Sequence, residues 1–166
     1  MKYVHLAFVI SACILYGTLS VVGAEIPVQL EISTPQMQFP SGSPITLTIT
    51  LSNLSDVPMT IGRVVGREQA EVDYTILVKD TNGKLLPESK YGYAAANNRL
   101  IVSRTTATIP PGGTLSQRPI ITRLYDMTKP GKYVVTVQRR LPAALGGLVV
   151  ASNAFTVSVV LDTKSE

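Results

Sequence analysis

His5 and Cys13 are the sole imidazole and the sole thiol of this chain, and both fall within its first 24 residues. Imidazole is the usual general acid or base near neutral pH, and a thiolate is the usual nucleophile or soft metal ligand. If that first segment is removed on export, the remaining chain has neither. A serine nucleophile then lacks its base, because no histidine and no Ser-x-x-Lys remain. The carboxylates Glu68, Glu71 and Asp73 are close enough in sequence to suggest the pair of acids that glycoside hydrolysis uses. Acids so closely spaced on a strand or loop are expected instead to be exposed charges. Asp80-x-Asn82-Gly83 resembles the start of a calcium loop, but Lys84-Leu85-Leu86-Pro87 supplies none of the remaining carboxylates. It is read as a hairpin turn, and no metal or cofactor is expected.

The first residues have the three parts of an export signal. Lys2 gives the positive start, Leu6 to Leu15 with Val21 and Val22 the apolar stretch, and Val22-Gly23-Ala24 the small residues of a cleavage site. Cleavage after Ala24 would make Glu25 the new N-terminus. Two alternatives stay open. Ile10-Ser11-Ala12-Cys13 resembles a lipobox that would place an acylated Cys13 at the start of the mature chain. Alternatively, Tyr3 to Ala24, uncharged apart from His5, nearly reaches the roughly 20 residues that span a bilayer and could stay as an anchor. All three put the remainder outside the cytoplasm, periplasmic or secreted, with membrane contact only through this segment.

Residues 25–166 are long enough for one domain with its own core, so neither disulfide nor metal is needed for stability. Lys2 is the only charged residue removed, which leaves 14 basic against 11 acidic residues. The small positive excess is dispersed over Arg63, Arg67, Lys79, Arg99, Arg104, Arg118, Arg123 and the pair Arg139-Arg140. Without a clustered basic patch no nucleic-acid partner is expected.

The elements that must position any site are strands. Ile45 to Leu51 alternates four aliphatics with three threonines, the pattern of a half-buried antiparallel strand. The same period of two returns in Val28/Leu30/Ile32, Val72/Tyr74/Ile76/Val78, Tyr133/Val135/Val137 and Phe155/Val157/Val159/Leu161. No comparable window carries a helical period. Turn residues separate the runs: Pro40-Ser41-Gly42-Ser43-Pro44, Asn82-Gly83 with two positions that tolerate positive φ, Pro110-Pro111-Gly112-Gly113 and Lys129-Pro130-Gly131. Pro58 and Pro119 belong at edges or bulges, because proline cannot donate to a ladder. Short strands at spacings of roughly 8 to 12 residues predict a sandwich or small barrel.

Pro40 to Ile61 resembles the opening of bacterial immunoglobulin-like and fibronectin-III-like domains: a Gly-containing turn, an alternating strand and an Asn53-x-Ser55-x-x-Pro58 corner. Pro110 to Val137 resembles their later half, with Asp126-x-x-x-Pro130-Gly131-x-Tyr133-x-Val135-x-Val137. The resemblance implies an all-β, immunoglobulin-like antiparallel β-sandwich of about seven to nine strands, with Tyr133 as a tyrosine corner. Asp80-Thr81-Asn82-Gly83-Lys84 is also similar to a hairpin of the intracellular proteinase inhibitor type of domain. Asn53-Leu54-Ser55 is in addition a formal glycosylation sequon.

Two stretches exceed what such a sandwich needs. Residues 86–103 gather Tyr91, Tyr93, Asn97, Asn98 and Arg99 around Ala94-Ala95-Ala96, residue types that suit a recognition loop. Residues 139–153 join the last two strands through Gly146-Gly147, and Arg139-Arg140 is expected to be a solvated strand end. The functional expectation is a non-enzymatic binding or structural module whose partner is another protein or an envelope component, engaged by the Tyr91 to Arg99 loop or by an exposed sheet edge. The alternatives are a proteinase-inhibitor-like domain and a two-carboxylate hydrolase. Mass spectrometry of the exported chain should find Glu25 at the N-terminus; an acylated Cys13 would establish the lipoprotein reading instead.

Overall fold

A computed structural model describes residues 27–65, 67–97 and 99–161; residues 1–26, with the expected export signal, Gly66, Asn98, residues 162–166 and the side chains of 67–69, Glu68 among them, lie outside the description. The period of two becomes a sandwich. In β1 (Val28–Ser33) every second residue is buried, and β3 (Thr48–Asn53) buries Ile49, Leu51 and Asn53 on its inner face. These two strands pair antiparallel, and β7 (Thr114–Gln117) pairs with β3 on its other side to complete a three-stranded sheet. The second sheet runs in the order β2 (Gln38–Pro40), β10 (Phe155–Val160), β8 (Gly131–Arg140), β5 (Thr75–Lys79), with β9 (Val149–Ala151) paired to the far end of β8. A ribbon of β4 (Met59–Val64) and β6 (Arg104–Ile109) completes the strands.

The chain changes sheets between β1 and β2, which lies parallel to β10, and a strand that switches sheets closes a corner of the sandwich. Inward residues of both sheets, among them Leu30, Ile49, Leu51, Ile76, Val78, Val135, Val137 and Val157, form one buried cluster. Among the described residues the result is an all-β, immunoglobulin-like sandwich of ten strands. It exceeds the expected seven to nine by short elements such as β2 and β9, three residues each, which no alternation could reveal.

Tyr133 stands at the start of β8, its ring buried and its hydroxyl donating to the Lys129 carbonyl at 2.6 Å. This is the expected tyrosine corner. Asp126 fixes the turn before it by accepting from the Thr128 hydroxyl at 2.6 Å and the Thr128 amide at 3.1 Å, which hold its carboxyl below the usual range. The Asn53 corner is equally well connected. Its Nδ2 donates to the carbonyls of Val57, Ile109 and Pro110 at 2.8, 3.0 and 3.2 Å, and its Oδ1 accepts from the Ser55 amide and hydroxyl. With Asn53 only 1% exposed, the sequon is a structural knot and a glycan on it is incompatible with this fold.

The Asp80 to Lys84 hairpin forms, with a different closure from the two-residue loop that Asn82-Gly83 suggests. Gly83 N donates to Asp80 O, Gly83 takes φ 78°, and Asp80 Oδ1 accepts from the amides of Asn82 and Lys84. That is a three-residue loop with glycine in the left-handed position, and it turns the Asp80 carboxylate onto backbone.

Three other expectations change. The strand read from Val72 begins only at Thr75, because Arg67–Asp73 winds into a 3-10 turn. Residues 149–151 form β9, so the 139–153 stretch is not a plain loop. The 86–103 stretch contains a helix, α1 (Lys90–Ala96), too short to show a period. Loss of the Tyr133 hydroxyl in Tyr133→Phe should cost about 1 kcal/mol, whereas Asn53→Ala, which strands several buried groups, should cost about 3 kcal/mol. Urea unfolding at unchanged m-value checks both.

Candidate functional site

Helix α1 begins where Ser89 caps it, its hydroxyl oxygen accepting from the Gly92 amide at 2.9 Å while its amide donates to Leu124 O at 2.7 Å. A Cβ on Gly92 would stand 2.3 Å from Leu124 O, so only glycine lets the helix lie against residues 121–125. At the other end the Asn97 side chain donates to Tyr93 O at 2.8 Å. Since a helix this short is not stable alone, these tertiary contacts are what form it.

The five residues predicted to form one recognition loop divide between two faces. Tyr91 turns inward, its hydroxyl donating to Glu71 Oε1 at 2.6 Å with the Arg123 guanidinium 4.3 Å above its ring. Tyr93, Asn97 and Arg99 stay exposed, with Arg99 stacked 5.2 Å from the Tyr93 ring centre, within cation–π range. Asn98 lies outside the described residues. Ile101, which the residue types did not single out, is 98% exposed on the irregular stretch after the helix.

Beneath α1 is a buried charged cluster. Glu71 is 2% exposed, and the Asp73 side chain 1%, so neither is the exposed acid expected from the sequence. The 3-10 turn carries them inward to meet cations. Asp73 accepts from the Val64 amide at 3.1 and 2.9 Å and from Gln117 Nε2 at 2.9 Å, and pairs with Arg104 at 3.6 Å. Glu71 pairs with Arg123 at 3.5 Å. Gln117 accepts in turn from the Tyr74 hydroxyl at 2.6 Å.

Arg139 is buried too, which corrects its reading as a solvated strand end; of the pair only Arg140 is exposed. It follows Tyr133, Val135 and Val137 on the inner face of β8, and its guanidinium lies 4.9 Å over the Tyr74 ring and donates to Gly62 O. The signal was present in the sequence, since continuing that alternation by one step places Arg139 inside. Tyr74 carried the same signal through its alternation with Ile76 and Val78, whereas Arg104, Arg123 and Gln117 carried none, because their partners are remote in sequence.

Between α1, β5 and β8 the cluster opens into a cleft of about 380 Å³, lined among others by Glu71, Tyr74, Ile76, Ala95, Tyr125 and Arg139. The Tyr125 hydroxyl donates to Ile76 O at 2.6 Å and so covers part of the outer edge of β5. Burial pushes the hydroxyls of Tyr74, Tyr125 and Tyr133 above the ordinary phenol value. Burial, with the Glu71 carboxylate adding to it, pushes Tyr91 up to about 12. Among the described residues no three His, Cys, Asp or Glu side chains converge as a metal ion would require.

No protein-family model matches this chain, and no curated protein matches it in sequence. Solved structures do resemble it. The CARDB domain of a Pyrococcus furiosus protein, solved with di-metal ions, is 14% identical over 81% of this chain and 94% of that one, at a TM-score of 0.43. The likeness is to a CARDB-type sandwich. The DNA-bound alkylpurine DNA glycosylase of Pseudomonas fluorescens is 16% identical over 80% of this chain and 30% of its own, TM-score 0.42. For the Listeria innocua β-glucosidase bound to isofagomine the figures are 13%, 80%, 16% and 0.41. At such identities and overlaps, the ligands and reactions of those proteins do not carry over to this chain.

A tyrosine held protonated by the fold stabilises it fully below pH 10, the ordinary value, and the contribution is lost as pH rises towards about 12. The melting temperature should therefore fall across that window, and Tyr91→Phe should flatten part of the fall. Gly92→Ala should lower stability by about 1–3 kcal/mol through overpacking against Leu124, read by thermal unfolding.

Proposed function

We propose that this chain is an extracytoplasmic sandwich module that binds another protein or an envelope component and catalyses no reaction. The observation that carries this reading is the exposed stack of Tyr93, on a helix that is fixed from beneath, with Arg99, which follows the end of that helix. Tyr and Arg are the side chains that most often dominate binding energy, and ordering them in advance lowers the entropic cost of association. Asn97 beside them and the projecting Ile101 extend the same surface with a polar and an apolar contact. The export signal of residues 1–24 supports the extracytoplasmic location.

The two-carboxylate alternative fares poorly against the geometry. A catalytic acid or base must reach substrate, and both oxygens of Asp73 are taken up by the Val64 amide, with Gln117 and Arg104 beside them. One observation favours the inhibitor reading: Ile101 stands clear of the fold on the irregular stretch before β6, as a side chain offered to a protease pocket must. Incubation with a panel of proteases separates the two, because rapid nicking between Glu88 and Arg104 without inhibition removes the inhibitor.

Tyr93→Ala, Arg99→Ala and Ile101→Ala should each leave unfolding free energy within about 0.5 kcal/mol of the parent, as exposed substitutions do. The triple variant should lose photocrosslinking, from a probe at Asn97, to the partner present in the native envelope. Crosslinking of that partner at parental yield by the folded triple variant would overturn the proposed surface.

A further inference from the structure

Two walls of the cleft carry charged atoms that the described residues leave without a hydrogen-bond partner. Glu71 Oε1 receives the Tyr91 hydroxyl, but Oε2, equally buried, receives nothing. Arg139, 6% exposed, donates through Nη2 to Gly62 O, while its buried Nη1 donates to nothing. Leaving a buried polar atom unpaired costs about 1–3 kcal/mol, and more when it is charged. Packing alone gives no reason to keep two of them, opposite in sign, on one cleft. Arg63 Nε is also buried and unpaired, but Arg63 does not line this cleft.

We propose that the cleft binds a small zwitterion the size of an amino acid or dipeptide, its carboxylate on Arg139 and its ammonium on Glu71. This site is distinct from the exposed face of α1 proposed above and does not depend on it. A guanidinium presents paired N–H groups that match a carboxylate, and a carboxylate oxygen with a vacant lone pair suits an ammonium donor. A simple anion would answer Arg139 and leave Glu71 unpaired; a simple cation would do the reverse. The exposed lining repeats the pairing of signs, with Glu88 and Arg140. The same cleft is lined by Gly92, Ala95 and Ala96, whose small side chains leave room, and by the aliphatic Ile76, Leu77 and Leu124, which suit a short apolar body. A volume of about 380 Å³ falls within the range of small-molecule sites. Both unpaired atoms are buried in this state, so a ligand reaches them through a local opening of the cleft.

Calorimetric titration of the full chain with L-alanyl-L-alanine tests the proposal against two blocked forms, N-acetyl-L-alanyl-L-alanine and L-alanyl-L-alaninamide. Saturable binding of the free dipeptide is expected, with each blocked form weaker by about tenfold or more. In Glu71→Gln the preference for a free ammonium should disappear, and in Arg139→Gln the preference for a free carboxylate. Should either variant fail to fold, amide shift mapping on the parent replaces it: shifts centred on Ile76, Gly92 and Ala95 support the site, and shifts centred elsewhere overturn it. No saturable binding up to about 10 mM, or equal binding of all three probes, would likewise overturn it.

Discussion

Asp73 joins three parts of the sandwich through one carboxylate: the end of β4 through the Val64 amide, β7 through Gln117, and β6 through Arg104. Among the described residues the β4–β6 ribbon forms no ladder with either main sheet, so this buried anion is a principal polar tie between the ribbon and the sheet of β1, β3 and β7. Removing a carboxylate from water costs several kcal/mol, and the loss is repaid only when its partners are close and well aimed. Here the Val64 amide and Gln117 Nε2 hydrogen-bond the carboxylate directly, while the half-exposed Arg104 at 3.6 Å adds a weaker, screened attraction.

Glu71, two residues earlier on the same 3-10 turn, does for α1 what Asp73 does for the ribbon. It holds the Tyr91 hydroxyl and the Arg123 guanidinium, and Arg123 in turn covers the Tyr91 ring. Gly92 allows the helix to lie against Leu124 and Ser89 ends it in register. The outward face, with Tyr93 and Arg99, is thereby held in place by contacts of the inward face. One short turn thus anchors the ribbon, shapes the cleft and orients the exposed pair.

Local chemistry was legible in the sequence wherever neighbours along the chain decide the structure. Alternation found the main strands, proline and glycine found the turns, and Tyr133 and Asn53 stood out through the resemblance to immunoglobulin-like domains, whose corner motifs are short in sequence even though Asn53 also reaches the distant Ile109 and Pro110 carbonyls. Misreadings arose where the deciding partner is remote. Glu71 and Asp73 looked like solvated acids because the cations that pair with them here, Arg104 and Arg123, are remote in sequence and reach them only after folding. Tyr91 and Tyr93 looked alike as members of one loop, and a seven-residue helix turned one inward and the other outward.

By itself, the sequence determined a chain whose only imidazole and only thiol lie within its first 24 residues, and whose period-two pattern and turn residues call for an antiparallel sandwich. Such features depend on side-chain type and spacing, which are properties of the chain before it folds. Only the tertiary structure decided which charges are buried, where the cleft lies and which tyrosine faces solvent. Burial and pairing are long-range properties: Asp73 and Gln117, or Gly62 and Arg139, become neighbours only when strands distant in sequence share a core.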